Sequence, residues 1–109
     1  MGLDIDLLID VCPTCKRGEQ VGDFYITYNL SEMARQAGSI LFDCGDEEDA
    51  QTIVDNITAT IKNLKSDPDR FEAMNPENGF GSHAGLVNTL EKIKCLCERH
   101  QDGVLRFCR

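Results

Sequence analysis

Six cysteines and two histidines are the residues of this 109-residue chain best suited to chemistry, and two of the cysteines stand in a motif. In Cys12-Pro13-Thr14-Cys15-Lys16-Arg17-Gly18, two thiols lie three apart across a tight turn. That spacing directs both sulfurs at one ion, and the adjacent amides and basic side chains favour thiolates. The motif predicts a structural zinc ion. Unmetallated thiols and dithiol redox chemistry compete with it. Redox motifs of this form begin a helix after a strand, however, whereas Gly18 and Gly22 here continue a loop. A single C-x-x-C is half of a tetrahedral site, so the remaining ligands must come from other elements.

Those elements follow from patterning. Leu3, Ile5, Leu7, Ile9 and Val11 alternate with Asp4, Asp6, Leu8 and Asp10, the period of a strand with one buried face. Pro13, Gly18 and Gly22 make residues 12–22 an elaborated turn, and Phe24 to Tyr28 returns as a second strand. Ser31 caps a short helix ending near Gln36, with Gly38 as its stop. A long helix starts at Asp46 or a neighbour, with Glu47, Glu48 and Asp49 in its first turn, where the helix dipole favours negative charge. Its apolar face is Ala50, Ile53, Val54, Ile57, Ile61 and Leu64. Asp67-Pro68 opens another short helix, and Asn75 to Gly81 is turn chemistry. Ser82 caps the last helix, whose stripe is Leu86, Leu90, Ile93 and Cys97, and His83 is expected to be exposed in its first turn. Val104 to Cys108 forms the closing strand. The order β-β-α-α-α-α-β predicts one α+β domain over residues 1–109, a three-stranded antiparallel sheet covered on one face by helices.

Traced through that topology, Cys44 and the end of the last helix return to the zinc end. Cys44 is the candidate third ligand, and His100 or Cys97 the fourth. Cys97 fits better as a core residue of its stripe, and Cys95 projects almost opposite it as a surface or rim thiol. Cys108 replaces Cys44 if the closing strand runs the other way. A closed four-ligand site of this kind couples about 10–16 kcal/mol of apparent metal binding to folding.

The balance of 19 acids against 11 bases gives a formal charge of −8, which repels phosphate backbones and suits a basic protein surface. The stretch from Asp43 to Asp55 has no base between Arg35 and Lys62, so Asp43, Asp46, Glu47, Glu48 and Asp49 are the candidate contact residues. They lack the spacing of a calcium loop and also fit a solvated helix start. Catalytic constellations are thin, and no enzyme activity is expected. Acids occupy the N-terminus where a signal peptide needs bases, and no apolar run reaches membrane-spanning length. Gly2 lacks the Ser or Thr at position six that myristoylation requires. A cytoplasmic protein with reduced cysteines is expected.

Two segments carry a family likeness. Thr27-Tyr28-Asn29-Leu30-Ser31-Glu32-Met33 resembles the T-[YH]-N-L-x-x-M signature of small phage and prophage proteins. Asn75-Pro76-Glu77-Asn78-Gly79-Phe80-Gly81, followed by Gly85-Leu86, resembles their N-P-x-N-G-[WF]-G-x-x-x-G-L segment. The ending from Val104 to Arg109 is similar to their closing strand, while Cys44, Cys95 and Cys108 depart from the pattern. The resemblance implies a mobile-element origin and, more distantly, a metal-binding anti-CRISPR protein acting in the host cytoplasm. Its implied partner is a type II effector nuclease, whose basic recognition lobe or channel it would occupy without binding nucleic acid itself. A phage structural or scaffolding module and a zinc-dependent hydrolase are the alternatives.

Overall fold

The computed structural model describes all 109 residues, ordered as β1 (Gly2–Ile9), β2 (Glu19–Thr27), a 3-10 turn (Tyr28–Leu30), α1 (Ser31–Gln36), β3 (Glu47–Asp49), α2 (Ala50–Ser66), α3 (Pro68–Glu72), α4 (His83–Arg99) and β4 (Val104–Cys108). The fold is α+β, and its antiparallel sheet has four strands in the order β2-β1-β4-β3 rather than the expected three. No helix is long and apolar enough to cross a membrane.

The additional strand is the main correction. Glu47, Glu48 and Asp49 were expected in the first helical turn, but they pair with Arg106, Leu105 and Val104 of β4. The Phe107 amide donates to the Asp46 carbonyl at 2.9 Å, and the Ala50 amide donates to the Gly103 carbonyl at 3.0 Å. Backbone pairing across the sheet therefore claims the groups that a helix start would leave open. Asp49 takes the N-cap position of α2 with extended backbone, and its side chain makes no capping bond.

Alternation in β1 buries Leu3, Ile5 and Leu7 and leaves Asp4 exposed and Asp6 half-buried. A register shift falls between Leu7 and Leu8, opposite Gly22 and Gln20, and Leu8 is buried too, though outside the main core cluster. Helices cover the inner face. Ile53, Ile57 and Leu64 of α2 and Leu86, Leu90 and Ile93 of α4 are fully or almost fully buried, together with Leu105 and Phe107 of β4. Removing one such side chain from water stabilises the fold by about 1.5–3 kcal/mol. Cys97 belongs to this core.

Local starts and stops agree with the chain in most places. Ser82 Oγ accepts from the Gly85 amide, and Pro68 stands in the first turn of α3. Gly38, at φ 100°, ends the α1 segment. Three expectations fail. β2 begins at Glu19 and not at Phe24, so Gly22 lies in the strand and the turn expected over residues 12–22 ends at Gly18. Ser31 is the first residue of α1 and not its cap, because a 3-10 turn capped by Thr27 Oγ1 leads directly into it. His83 is buried, not exposed. Its ring lies over Phe71 at 6.3 Å between centroids, and its Nε2 is 2.8 Å from the Leu64 carbonyl.

Candidate functional site: the cysteine loop and the acidic edge

The loop between β1 and β2 is built by two unusual backbone angles. Asp10 and Lys16 have φ of 54° and 62°, the left-handed region that few side chains favour. Between them the chain closes on itself. The Cys12 amide donates to the Arg17 carbonyl at 2.8 Å, and the Lys16 amide donates to the Cys12 carbonyl at 2.9 Å. This turn brings the two thiols together. The Cys12 thiol is held below the ordinary range by the Cys15 backbone amide, then by that of Thr14, then by the Cys15 side chain. Cys12 is half-buried and Cys15 exposed.

Arg106 joins this loop to the sheet edge. From β4 its Nε donates to Glu47 Oε1 at 2.9 Å, and its Nη2 donates to the Lys16 carbonyl. One guanidinium thus spans the cysteine loop and the acidic strand. Sequence reasoning missed this residue. Its signal was alternation: between inward Leu105 and Phe107, Arg106 must face outward, beside Asp6 in the register.

The four expected zinc ligands do not converge. Cys44 lies beyond the far end of β4, where Arg109 Nη2 donates to its carbonyl. Burial raises its thiol, opposed chiefly by Arg109. Its placement follows from Asp46 pairing with Phe107, which anchors this segment near the C-terminal end of β4. His100 follows α4 and lines a shallow depression with Ile9 and Asp10, on the side where β1 meets the loop. Cys97 is inside, and burial pushes its thiol up to about 11. Cys95 is exposed, and Cys108 is exposed opposite Asp4. No group of three or more His, Cys, Asp or Glu side chains is placed to hold a metal ion. Cys12 and Cys15 alone are adjacent, a two-thiol donor set suited to a soft or borderline ion.

The expected contact acids form a varied edge. Asp43 is held by Arg35 through Nε to Oδ2 and Nη2 to Oδ1, each at 3.0 Å. Glu47 is paired with Arg106, and Asp46, almost fully exposed, lies 3.9 Å from Arg109. Glu48 is half-buried on the opposite side of β3, while Asp49 is exposed. Only four of the 19 acids have a basic partner within 4.0 Å, which leaves fifteen without one. On the outer face Asp6 stands directly across from Asp23, and its pKa is raised, by burial first and then by Asp23 and Asp4, against the lowering effect of Arg106.

A second feature lies at the other end of β2. The two motif segments meet there around an open cavity of about 510 Å³, lined among others by Tyr25, Asn29, Leu30, Phe80 and Gly81. Asn29 Nδ2 donates to the Phe80 carbonyl at 3.5 Å, and Gly81 at φ 108° packs its backbone against Leu30 and Thr27. The lining contains no carboxylate, histidine, cysteine, lysine or arginine side chain. Comparison of the chain with protein-family models, with curated proteins and with solved structures found no match.

Proposed function

We propose that this chain is a non-catalytic, protein-binding inhibitor that docks its acidic edge on a basic surface of a nucleic-acid enzyme. The observation that carries this is a chain of charge −8 on which fifteen of 19 acids have no basic partner within 4.0 Å, Glu48 and Asp49 of the edge strand among them. Charge that is not neutralised internally projects a field, which steers association and selects a partner of opposite sign. On the edge strand β3, Glu48 and Asp49 have no basic partner, Glu47 is engaged by Arg106, and Asp46, just before the strand, lies 3.9 Å from Arg109. The likeness to phage proteins supplies the class of target, a type II effector nuclease of host defence. Its channel for an RNA–DNA heteroduplex is basic, so an acidic protein seated there competes with nucleic acid without performing chemistry. The lining of the large cavity has no charged side chain and suits apolar and hydrogen-bonded contact, which also favours a binding role.

The test is affinity for a purified effector nuclease, measured by calorimetry at low and at physiological salt. Asp46, Glu48 and Asp49 are changed together to Ser, leaving the Glu47–Arg106 pair intact. Binding should weaken at least tenfold, about 1.4 kcal/mol, and the salt dependence should become shallower. Unchanged affinity with unchanged salt dependence removes the acidic edge as the docking surface. Absence of binding to any effector recovered from a CRISPR-bearing host removes the proposed target.

A further inference from the structure

The cysteine loop holds two soft donors in one hydrogen-bonded turn, yet a closed zinc site takes four. Nothing within the chain supplies the other two. Cys44 is anchored at the C-terminal end of β4, Cys97 is sealed in the core, and no third His, Cys, Asp or Glu side chain joins the pair. The loop is nevertheless open to a visitor. Every residue from Pro13 to Gly18 is exposed, and none belongs to the hydrophobic core. Its charge is also opposite to that of the rest of the molecule. Between Val11 and Gly18 the chain carries Lys16 and Arg17 and no acid, and Arg106 reaches the Lys16 carbonyl from below.

We infer that Cys12 and Cys15 form half of a tetrathiolate zinc site that is completed by the same two cysteines of a second copy of this chain. A zinc ion with four thiolates is a doubly negative centre, and the two apposed loops surround it with the lysines and arginines of both copies. That local complementarity offsets the repulsion between two acidic molecules where they approach most closely. The arrangement is isologous, as a two-fold axis through the metal requires, and each coordinated thiol releases its proton to solvent. It assigns the metal to assembly and not to holding sheet and helices together within one copy. Because β3 and the loop are bridged by Arg106, the dimer would also present two acidic edges from one junction.

The experiment is a zinc titration of the full, reduced chain in a non-chelating phosphine reductant, followed by native mass spectrometry and light scattering. Dimer carrying one zinc per two chains is expected, saturating at half an equivalent and reverting to monomer with chelator. Cobalt(II) in place of zinc should show the absorption of a four-sulfur tetrahedral site. Cys12→Ser and Cys15→Ser should each stay monomeric, with far-UV circular dichroism confirming that they fold. Cys44→Ser, Cys108→Ser and His100→Ala should dimerise like the parent chain. Zinc bound one-to-one by monomer, no uptake of zinc, or a dimer that persists in Cys12→Ser each overturns the inference. A dimer that survives chelator but dissociates in excess reductant is a disulfide, and overturns it as well.

Discussion

Gly81 is where the two halves of the large cavity are fitted together, and replacing it with Ala should be unusually costly. Its φ is 108°, and a Cβ built there would lie 2.9 Å from Leu30 Cγ and 3.0 Å from Thr27 Cγ2. Two penalties combine. A left-handed backbone costs an L residue about 1–2 kcal/mol, offset by about 0.4–1 kcal/mol through the stiffer unfolded chain. Overpacking against a buried neighbour adds about 1–3 kcal/mol, and Leu30 is only 4% exposed, with little room to move. Gly79 provides the internal reference. It too has positive φ, at 79°, but a Cβ there meets nothing within 4 Å. Gly79→Ala should therefore cost at most about 1.6 kcal/mol, and Gly81→Ala about 1–4.6 kcal/mol. In urea unfolding with a slope of about 2 kcal/mol/M, a loss of 3 kcal/mol moves the midpoint down by about 1.5 M. The excess over Gly79→Ala should shrink in a Leu30→Ala background, measured with a stabilising osmolyte, since the nearest atom is then gone. Equal penalties at the two glycines, or an excess indifferent to Leu30, would refute the close-approach argument.

The carboxylate pair on the outer face gives a pH-dependent prediction. Asp6 is directly opposite Asp23 and its pKa is raised, so the chain folds more readily with Asp6 protonated, and that contribution is lost as pH rises through the folded pKa. Asp6→Asn should stabilise the protein by about 0.2–1 kcal/mol at neutral pH, and the gain should vanish in acid once both states bind the proton. A gain that persists unchanged at low pH points to a cause other than charge. His83→Phe keeps the stacking on Phe71 but removes the partner of the Leu64 carbonyl near the end of α2. A loss of about 1–3 kcal/mol in thermal or urea unfolding is expected, and no loss would show that the carbonyl finds another donor.

Much of this molecule was legible from its residues because the relevant physics is local. The 3.6-residue apolar stripes of Ile53, Ile57 and Leu64 and of Leu86, Leu90 and Ile93 were buried as their spacing required. Ser82, Pro68 and Gly38 act within one turn of where they stand, so their effects did not depend on distant chain. The C-x-x-C adjacency is likewise local, closed by hydrogen bonds within residues 12–17.

Tertiary structure decided what depends on partners far along the chain. Glu47, Glu48 and Asp49 satisfy every local preference of a helix start, yet β4 offers their backbone a strand, and sheet pairing outweighs the weak pull of the dipole. His83 looked exposed because polar residues in a first turn usually are, but the Leu64 carbonyl, nineteen positions away, gave its ring a buried partner. Arg106 carried no motif. It became the link between loop and edge because pairing set its register against Asp6 and Glu47. Cys44 and His100 were assigned to one end of the molecule by tracing directions through elements. The strand at residues 47–49, absent from that tracing, anchored the Cys44 segment at the C-terminal end of β4 instead. Spacing along a chain fixes which side chains share a turn or a face, while long-range backbone pairing, whose donors and acceptors are the same for every residue, determines which turns meet.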